Sequence, residues 1–138
     1  MTLRVQRVLE TSLYVEDVAR AARFYERVLG LRRMSAGERL TAMDAGGGSV
    51  LLLFQQGATS TGSTFDGGWI PPHEASGPAH FAFAVRGDEL DAWRRHLAAE
   101  GVELESEVTW GRGGVSLYFR DPDGHSVELA APGVWPVY

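Results

Sequence analysis

The sequence predicts an α+β fold in which a β-α-β-β-β module occurs twice and builds a curved mixed sheet around a concave groove. Strand-like alternation and helical periodicity recur in the same order in both halves of the chain. Corresponding strands lie 70 residues apart, since 80 − 10 = 70 for Glu10 and His80. One face of most strands is bulky and apolar, whereas the other is small or polar. These observations predict one domain over residues 1–138, with modules at about 4–56 and 79–131 joined by a loop over 57–78.

The first module begins with a strand over residues 8–15, where apolar and polar residues alternate. Asp17 is the predicted N-cap of a helix whose apolar residues follow helical spacing, and Gly30 is its predicted C′ residue. Three further strands are expected over residues 31–35, 39–44 and 49–54, with a glycine-rich turn at 45–48.

The second module repeats this order, beginning with a strand over residues 79–85. Asp88 is expected to open a helix and Gly101 to end it. Strands are then predicted over residues 102–109, 115–120 and 126–130.

Residues 55–78, between the modules, are rich in Gly, Ser, Thr and Pro. Connections of this length are uncommon in compact domains and act as mobile linkers or as lids. Trp69, Ile70 and His73 favour a lid, because their side chains are costly to leave in water.

Composition and charge exclude several classes of function. The formal net charge of −5 gives no electrostatic basis for binding nucleic acid or a membrane surface. The chain has no cysteine, which excludes disulfides, thiolate zinc sites and a thiol nucleophile. The glycine run at residues 46–48 lacks the spacing and the lysine of a phosphate-binding loop. With no apolar signal peptide or membrane span, a cytoplasmic protein is expected.

Strand parity predicts where the functional side chains point. Glu10 in the first module, and His80 and Glu128 in the second, all fall on the small or polar face of their strands. On a curved sheet with helices on one side, this face lines a shared groove. Small neighbours such as Ser12 and Ala82 leave room there for a ligand.

Three motifs resemble the vicinal oxygen chelate superfamily, which includes glyoxalase I, extradiol dioxygenases, fosfomycin-modifying enzymes and bleomycin resistance proteins. The first is Leu-Tyr-Val-Glu-Asp at 13–17 with Phe-Tyr-Glu-Arg-Val-Leu-Gly-Leu at 24–31. The second is Gly-Pro-Ala-His-Phe-Ala-Phe-Ala-Val at 77–85. The third is Tyr-Phe-Arg-Asp-Pro-Asp-Gly-His-Ser-Val-Glu-Leu at 118–129.

The resemblance implies a divalent metal held by Glu10, His80 and Glu128. The fourth ligand position of some members falls on Leu52, which cannot bind a metal, so a three-ligand site with open positions is expected. One imidazole and two carboxylates suit Mn²⁺, Fe²⁺, Zn²⁺, Ni²⁺ or Mg²⁺ without choosing among them.

Other candidate residues are assigned with their alternatives. Glu128 and Tyr118 are the predicted catalytic residues, and Ser12, Tyr118, Arg112 and Trp69 are the predicted substrate-binding residues. Tyr118 is equally consistent with packing, and Arg112 with a solvated turn. Glu10 could instead be salt-bridged to Arg4 or Arg7. The Asp-Pro-Asp-Gly turn at 121–124 sets the register that aims Glu128 into the groove, and His125 belongs to this turn.

Three functional hypotheses follow. The first is a small metal-dependent enzyme, a lyase, isomerase or dioxygenase-like protein, acting on an oxygen-chelating substrate. The second is a metal-free, sequestering protein similar to the bleomycin resistance proteins. The third is a regulatory or structural dimer without a small ligand. A homodimer, with modules exchanged between chains in some relatives, is implied by the resemblance. The segment 130–138 lacks the basic residues expected of a fosfomycin enzyme.

Overall fold

The computed structural model describes residues 1–138 and divides into two compact units, Met1–Ser76 and Gly77–Tyr138. The first unit has the predicted β-α-β-β-β order, with each element within about two residues of its predicted bounds. Its elements are β1 (Glu10–Val15), α1 (Val18–Leu29), β2 (Arg32–Ala36), β3 (Leu40–Asp44) and β4 (Val50–Gln55). No helix in the structure has the length and apolar character needed to cross a bilayer.

The first sheet has the strand order β1-β4-β3-β2, so β1 lies at an edge. Strands β1 and β4 run parallel with Glu10 opposite Val50, and the other pairs are antiparallel. Helix α1 begins and ends as predicted. The Asp17 carboxylate accepts from the Arg20 N–H at 3.0 Å, and Gly30 adopts the left-handed conformation with φ of 70°.

The core of the first unit lies between α1 and one face of the sheet. Its strand residues are Leu13 and Val15 of β1 and Leu51 and Leu53 of β4, all 1% exposed or less. The helix contributes apolar side chains at helical spacing: Val18, Ala21, Ala22, Tyr25 and Val28. The alternate residues of β1 remain exposed or half-buried, which confirms the predicted parity.

The second unit repeats the topology with the strand order β7-β10-β9-β8. Its strands are β7 (His80–Ala84), β8 (Ser106–Thr109), β9 (Val115–Arg120) and β10 (Ser126–Ala130), and its helix is α2 (Leu90–Ala99). Strands β7 and β10 are parallel, and β10 lies antiparallel to β9.

Two boundaries in the second unit differ from prediction. Asp88 does not open the helix, because its carboxylate binds the Arg86 guanidinium at 2.7 and 3.0 Å. A short 3₁₀ turn, Gly87–Glu89, precedes α2 instead. Strand β8 is shorter than the predicted 102–109, because the Val102 N–H closes the helix end on the Leu97 carbonyl.

Residues 56–78 differ from the linker interpretation. They contain a hairpin of two short strands, β5 (Ser63–Phe65) and β6 (Gly68–Ile70). Thr59 closes the base of this loop: its N–H and hydroxyl both donate to the Glu74 carboxylate, at 3.0 and 2.8 Å. The His73 N–H also donates to the Thr59 carbonyl at 3.1 Å. The segment is therefore a closed loop with its own hydrogen bonds. Its hairpin turns between Phe65 and Gly68, and no alternation of apolar residues marks its strands in the sequence.

Candidate functional site

Glu128 lies in the middle of β10 and is nearly buried, with 9% of its side chain exposed. Val127 and Leu129, its chain neighbours, point into the core on the other face. The Glu128 Oε1 atom lies 3.2 Å from Nε2 of His80 on the neighbouring strand β7. A carboxylate and an imidazole predicted from separate motifs therefore meet within the second unit.

The His80 ring is held in one orientation by the backbone of β10. Its Nδ1 atom lies 3.0 Å from the Ser126 carbonyl oxygen. A carbonyl oxygen only accepts hydrogen bonds, so Nδ1 carries the proton and donates it. In the neutral ring, the lone pair is then on Nε2, which faces Glu128 and solvent. Metal-binding histidines commonly use this tautomer, fixed by a hydrogen bond at the other nitrogen.

The turn before β10 sets the register of this pair. Asp121 Oδ1 accepts the backbone N–H groups of Asp123 and His125 at 3.0 and 2.8 Å. The buried His125 ring accepts the Ala79 N–H at Nδ1, at 2.9 Å. Because Ala79 directly precedes His80, His125 connects the turn to the start of β7. His125 thus belongs to the turn, as the sequence predicted, and it also fixes where β7 begins.

Ser116, which was not predicted as a site residue, holds the other oxygen of Glu128, and Trp110 in turn holds Ser116. The fully buried Ser116 of β9 donates its hydroxyl to Glu128 Oε2 at 2.5 Å. The Trp110 indole N–H donates to Ser116 Oγ at 2.9 Å. Ser116 shares strand parity with Tyr118, but parity alone does not distinguish it from other small strand residues. No periodicity indicates where the Trp110 ring points, because Trp110 lies in a glycine-rich turn.

Tyr118 lies beside this pair, opposite Glu128 in the register of β9 and β10. Its ring stacks near the His80 ring, with centroids 6.1 Å apart and planes 29° apart. Burial raises the pKa of the Tyr118 phenol above its ordinary value of 10.0, and the negative charge of Glu128 raises it further, while a hydrogen bond with Ser116 opposes both. Tyr118 is thus a protonated hydroxyl at neutral pH.

In the first unit, Glu10 and Ser12 lie on the solvent-exposed face of β1, as parity predicts. Arg7 donates to the Gly47 carbonyl at 2.7 Å. Leu52, at the predicted fourth position, is half-buried on β4, opposite Ser12 in the register.

An aromatic cluster covers the far end of the same face of β1. The Tyr14 hydroxyl is hydrogen-bonded to His73 Nδ1, and the Tyr14 and Phe54 rings stack with centroids 5.9 Å apart. The His73 ring also contacts Phe54 edge-on at 5.0 Å. Through His73, the loop over 56–78 therefore packs on the face of β1 that carries Glu10 and Ser12. His73 was predicted only as a lid residue, and no sequence pattern indicates its contact with Tyr14.

The remaining predicted substrate-binding residues are at the surface. Trp69 of β6 is 60% exposed at the hairpin of the loop. Arg112 is exposed in the turn between β8 and β9.

The donor set suits part of a metal site. His80 Nε2 and Glu128 Oε1 are a nitrogen and an oxygen donor on neighbouring strands, each oriented by a hydrogen bond on its other side. Such support on the outer side of the ligands is typical of metal sites. No group of three His, Asp or Glu side chains in the structure is arranged to hold a metal ion.

Comparisons with known proteins agree with the topology. Residues 7–129 match the family model of the Glyoxalase/Bleomycin resistance protein/Dioxygenase superfamily. A glutathione transferase, FosA, from Serratia marcescens is 29% identical over 91% of this chain and 80% of its own length. A metallothiol transferase, FosB, from Staphylococcus saprophyticus is 28% identical over 91% of this chain and 76% of its own.

A solved structure gives the same assignment of the fold. The crystal structure of a lactoylglutathione lyase from Agrobacterium tumefaciens is similar to this chain with a TM-score of 0.85 and 32% sequence identity. The match covers 96% of this chain and 98% of that chain. With its two β-α-β-β-β units and a family match over nearly all of its length, the chain belongs to the Glyoxalase/Bleomycin resistance protein/Dioxygenase superfamily.

Proposed function

We propose that this protein is a small enzyme that depends on a divalent metal ion and acts on a small oxygen-chelating substrate by lyase, isomerase or related chemistry. The observation that carries the proposal is the pair formed by His80 Nε2 and Glu128 Oε1, 3.2 Å apart on neighbouring parallel strands.

The burial of Glu128 supports a cation at this pair. A carboxylate removed from water is costly unless a positive charge or several hydrogen-bond donors compensate it. Ser116 serves one oxygen, while the other faces His80, whose side chain is 52% exposed. A divalent ion bound from the solvent side of His80 would satisfy both Nε2 and Oε1. Glu10, the third ligand implied by the family resemblance, remains a prediction.

The surrounding residues suit a substrate that carries negative charge on oxygen. When bound, a divalent ion supplies polarisation of a substrate oxygen and stabilises the charge that develops there. Tyr118, whose raised pKa extends the protonated phenol to higher pH, donates a hydrogen bond to the substrate next to the His80–Glu128 pair. Ser12, Arg112 and Trp69 remain proposed substrate contacts, because each has a polar or aromatic group open to solvent.

The names of the relatives suggest which substrates to screen first. Glutathione transferase, metallothiol transferase and lactoylglutathione lyase each refer to a thiol or a glutathione conjugate. We therefore propose thiol conjugates, and thiols offered with an electrophilic co-substrate, as the first compounds to test.

The proposal is tested by metal analysis of the untagged protein. The protein is loaded with Mn²⁺, Fe²⁺, Zn²⁺, Ni²⁺ or Mg²⁺, desalted and analysed by mass spectrometry, with Glu128→Gln and His80→Ala in parallel. About one ion per chain is expected in the parent protein. Both variants are expected to lose it, because each removes one of the two adjacent donors. Glu10→Gln in the same assay tests the third ligand.

Glu103→Gln is the matched control, because it removes an exposed carboxylate of the same unit. It is expected to bind the ion like the parent. Parent protein that retains no ion under any loading condition would contradict the metal-dependent function. If Glu128→Gln retains as many ions per chain as the parent, the bound ion does not depend on Glu128 and lies at another site.

A metal-free binding protein is the second candidate. It is favoured by Leu52, which places an apolar side chain at the fourth position, and by the net charge of −5, which suits a cationic ligand. Saturable binding of an aromatic cation by protein that takes up no metal would support this function over the first.

The protein is further proposed to act as a homodimer. Light scattering on the loaded sample measures this directly, since a dimer of the 15.0 kDa chain has a mass of about 30 kDa. A measured mass of about 15 kDa in a sample that retains its metal would show that the monomer binds metal. This result would contradict a metal site that requires the dimer.

A further inference from the structure

Glu128 is served by a chain of two hydrogen bonds that ends at a tryptophan. The Trp110 indole has one donor and no acceptor, and it donates to Ser116 Oγ at 2.9 Å. Ser116 has one hydroxyl proton, which it donates to Glu128 Oε2 at 2.5 Å. With one of its two lone pairs engaged by Trp110, the Ser116 hydroxyl directs its only proton at Glu128.

The first bond is set in place by a rigid turn. Trp110 donates its backbone N–H to the Gly114 carbonyl at 2.8 Å, and Gly113 donates back to the Trp110 carbonyl at 2.8 Å. Gly113 has a φ of 92°, which glycine adopts without strain. Gly114 packs against the chain after β10, so closely that an added Cβ would lie 2.3 Å from the Gly133 carbonyl carbon. These contacts fix the backbone that carries the indole.

The second bond fixes the rotation of the Glu128 carboxylate. Ser116 is completely buried, so no water competes for its hydroxyl. With Oε2 held by Ser116, Oε1 is the oxygen that faces His80 Nε2 at 3.2 Å.

We propose that Trp110 and Ser116 are positioning residues that hold Glu128 with Oε1 beside His80 Nε2, ready to bind a ligand together. This inference rests on the proposed function for the identity of that ligand, a divalent metal ion. The hydrogen bonds among Trp110, Ser116 and Glu128 rest on geometry alone.

The first test uses the metal-free protein. In ¹H–¹⁵N spectra, the indole N–H of Trp110 is assigned by its loss in Trp110→Phe. Slow exchange with water is expected, because the N–H is engaged by a buried acceptor. Ser116→Ala is expected to accelerate this exchange. An indole N–H that exchanges at the rate of a solvated tryptophan would overturn the proposal.

The second test measures affinity for Co²⁺ from its visible absorption bands. Ser116→Ala is expected to weaken binding about 10- to 100-fold, the usual effect of removing a group that orients a metal ligand. Trp110→Phe acts one bond further away and is expected to weaken binding less, with the same change in band shape. Ser116→Thr, which keeps the hydroxyl, is expected to restore affinity. Equal affinity of parent and Trp110→Phe would overturn the role of Trp110.

Trp135→Phe is the matched control, since this exposed tryptophan of the same unit lies outside the chain of hydrogen bonds. It is expected to leave both readouts unchanged. If the parent binds no Co²⁺, the proposed metal function fails. The positioning role of Trp110 and Ser116 is then tested separately, from the ¹⁵N chemical shifts of the His80 ring. A changed Nε2 shift in Trp110→Phe at constant pH would support that role, and an unchanged shift would overturn it.

Discussion

At the scale of single residues, the second unit brings together side chains that the chain separates widely. His80 and Glu128 meet because parallel pairing of β7 and β10 places residues 80 and 126 opposite each other. Tyr118 lies next to them because the antiparallel pairing of β9 and β10 places it opposite Glu128. Glu128 and Tyr118 alternate with buried apolar neighbours, and His80 precedes the half-buried Phe81, so the direction of each side chain follows from strand parity. Motif and parity were therefore sufficient to predict that these three side chains lie together, whereas their roles in binding and catalysis stay predictions.

Tyr118 gives a pH-dependent prediction. Its pKa is raised in the folded protein, mainly by burial and further by the charge of Glu128. The folded state therefore retains the phenol proton at pH values where the unfolded state has lost it. The contribution of Tyr118 to stability is fully present below pH 10 and is lost as the pH rises through the raised pKa.

Tyr118→Phe removes this dependence. Between pH 10 and the raised pKa, the free energy of unfolding is expected to fall more steeply in the parent than in Tyr118→Phe, as measured by urea denaturation. Ultraviolet titration is expected to show one fewer late-ionising phenol in Tyr118→Phe than in the parent. The same pH dependence of the free energy of unfolding in both proteins would contradict the prediction.

Ser116, Trp110 and His73 show why other residues of the site could not be predicted in the same way. Ser116 has the right parity but no chemical motif, so the sequence alone does not distinguish it from any small strand residue. Trp110 and His73 lie in turns and loops, where side-chain direction depends on backbone angles such as the φ of 92° at Gly113. Periodicity carries no information about these angles.

At the scale of elements, capping and alternation determined most boundaries. Asp17 and Gly30 delimit α1, whereas Asp88 was expected to cap α2 and binds Arg86 instead. The loop over 56–78 was the element least accessible to sequence reasoning. Its base is closed by Thr59 and Glu74, which are 15 residues apart and belong to no recognisable motif.

Glu74→Ala is expected to open this loop. The substitution removes the acceptor of both the Thr59 N–H and the Thr59 hydroxyl. Hydrogen bonding to Thr59 also lowers the pKa of Glu74, so the carboxylate remains charged at neutral pH. Limited proteolysis is expected to cut within residues 59–73 faster in the variant, while the melting temperature changes little.

Glu103→Ala is the control for the loss of one negative charge and is expected to match the parent. Equal cleavage of the Glu74 variant and the parent would show that the Tyr14–His73 contact holds the loop without Glu74.

At the scale of the whole molecule, the chain contains the same topology twice. Both sheets have a parallel edge pair, and both helices are followed by a glycine in the left-handed conformation: Gly30 with φ of 70° and Gly101 with φ of 72°. The repeat was predictable because the spacing of the strands, their parity and the glycine after each helix recur, although the two halves share little sequence identity.

The repeat predicts equal costs at equivalent positions. Gly30→Ala and Gly101→Ala are each expected to lower the free energy of unfolding by about 1 kcal/mol, because the left-handed conformation strains a residue with a Cβ. Neither added Cβ meets an atom within 4 Å, so backbone strain is the only local cost. Gly87→Ala, also in open space but without a positive φ, is the control and is expected to be neutral or slightly stabilising.

The parallel pairs also determine when the site can form during folding. Glu10 pairs with Val50 across 50 − 10 = 40 residues, and His80 with Ser126 across 126 − 80 = 46 residues. Chain entropy makes closing either span about equally costly, within about 0.1 kcal/mol. In the second unit, the long span must close before His80 can approach Glu128. A chain in which this span is still open would not bring the two donors of the pair together for a metal ion.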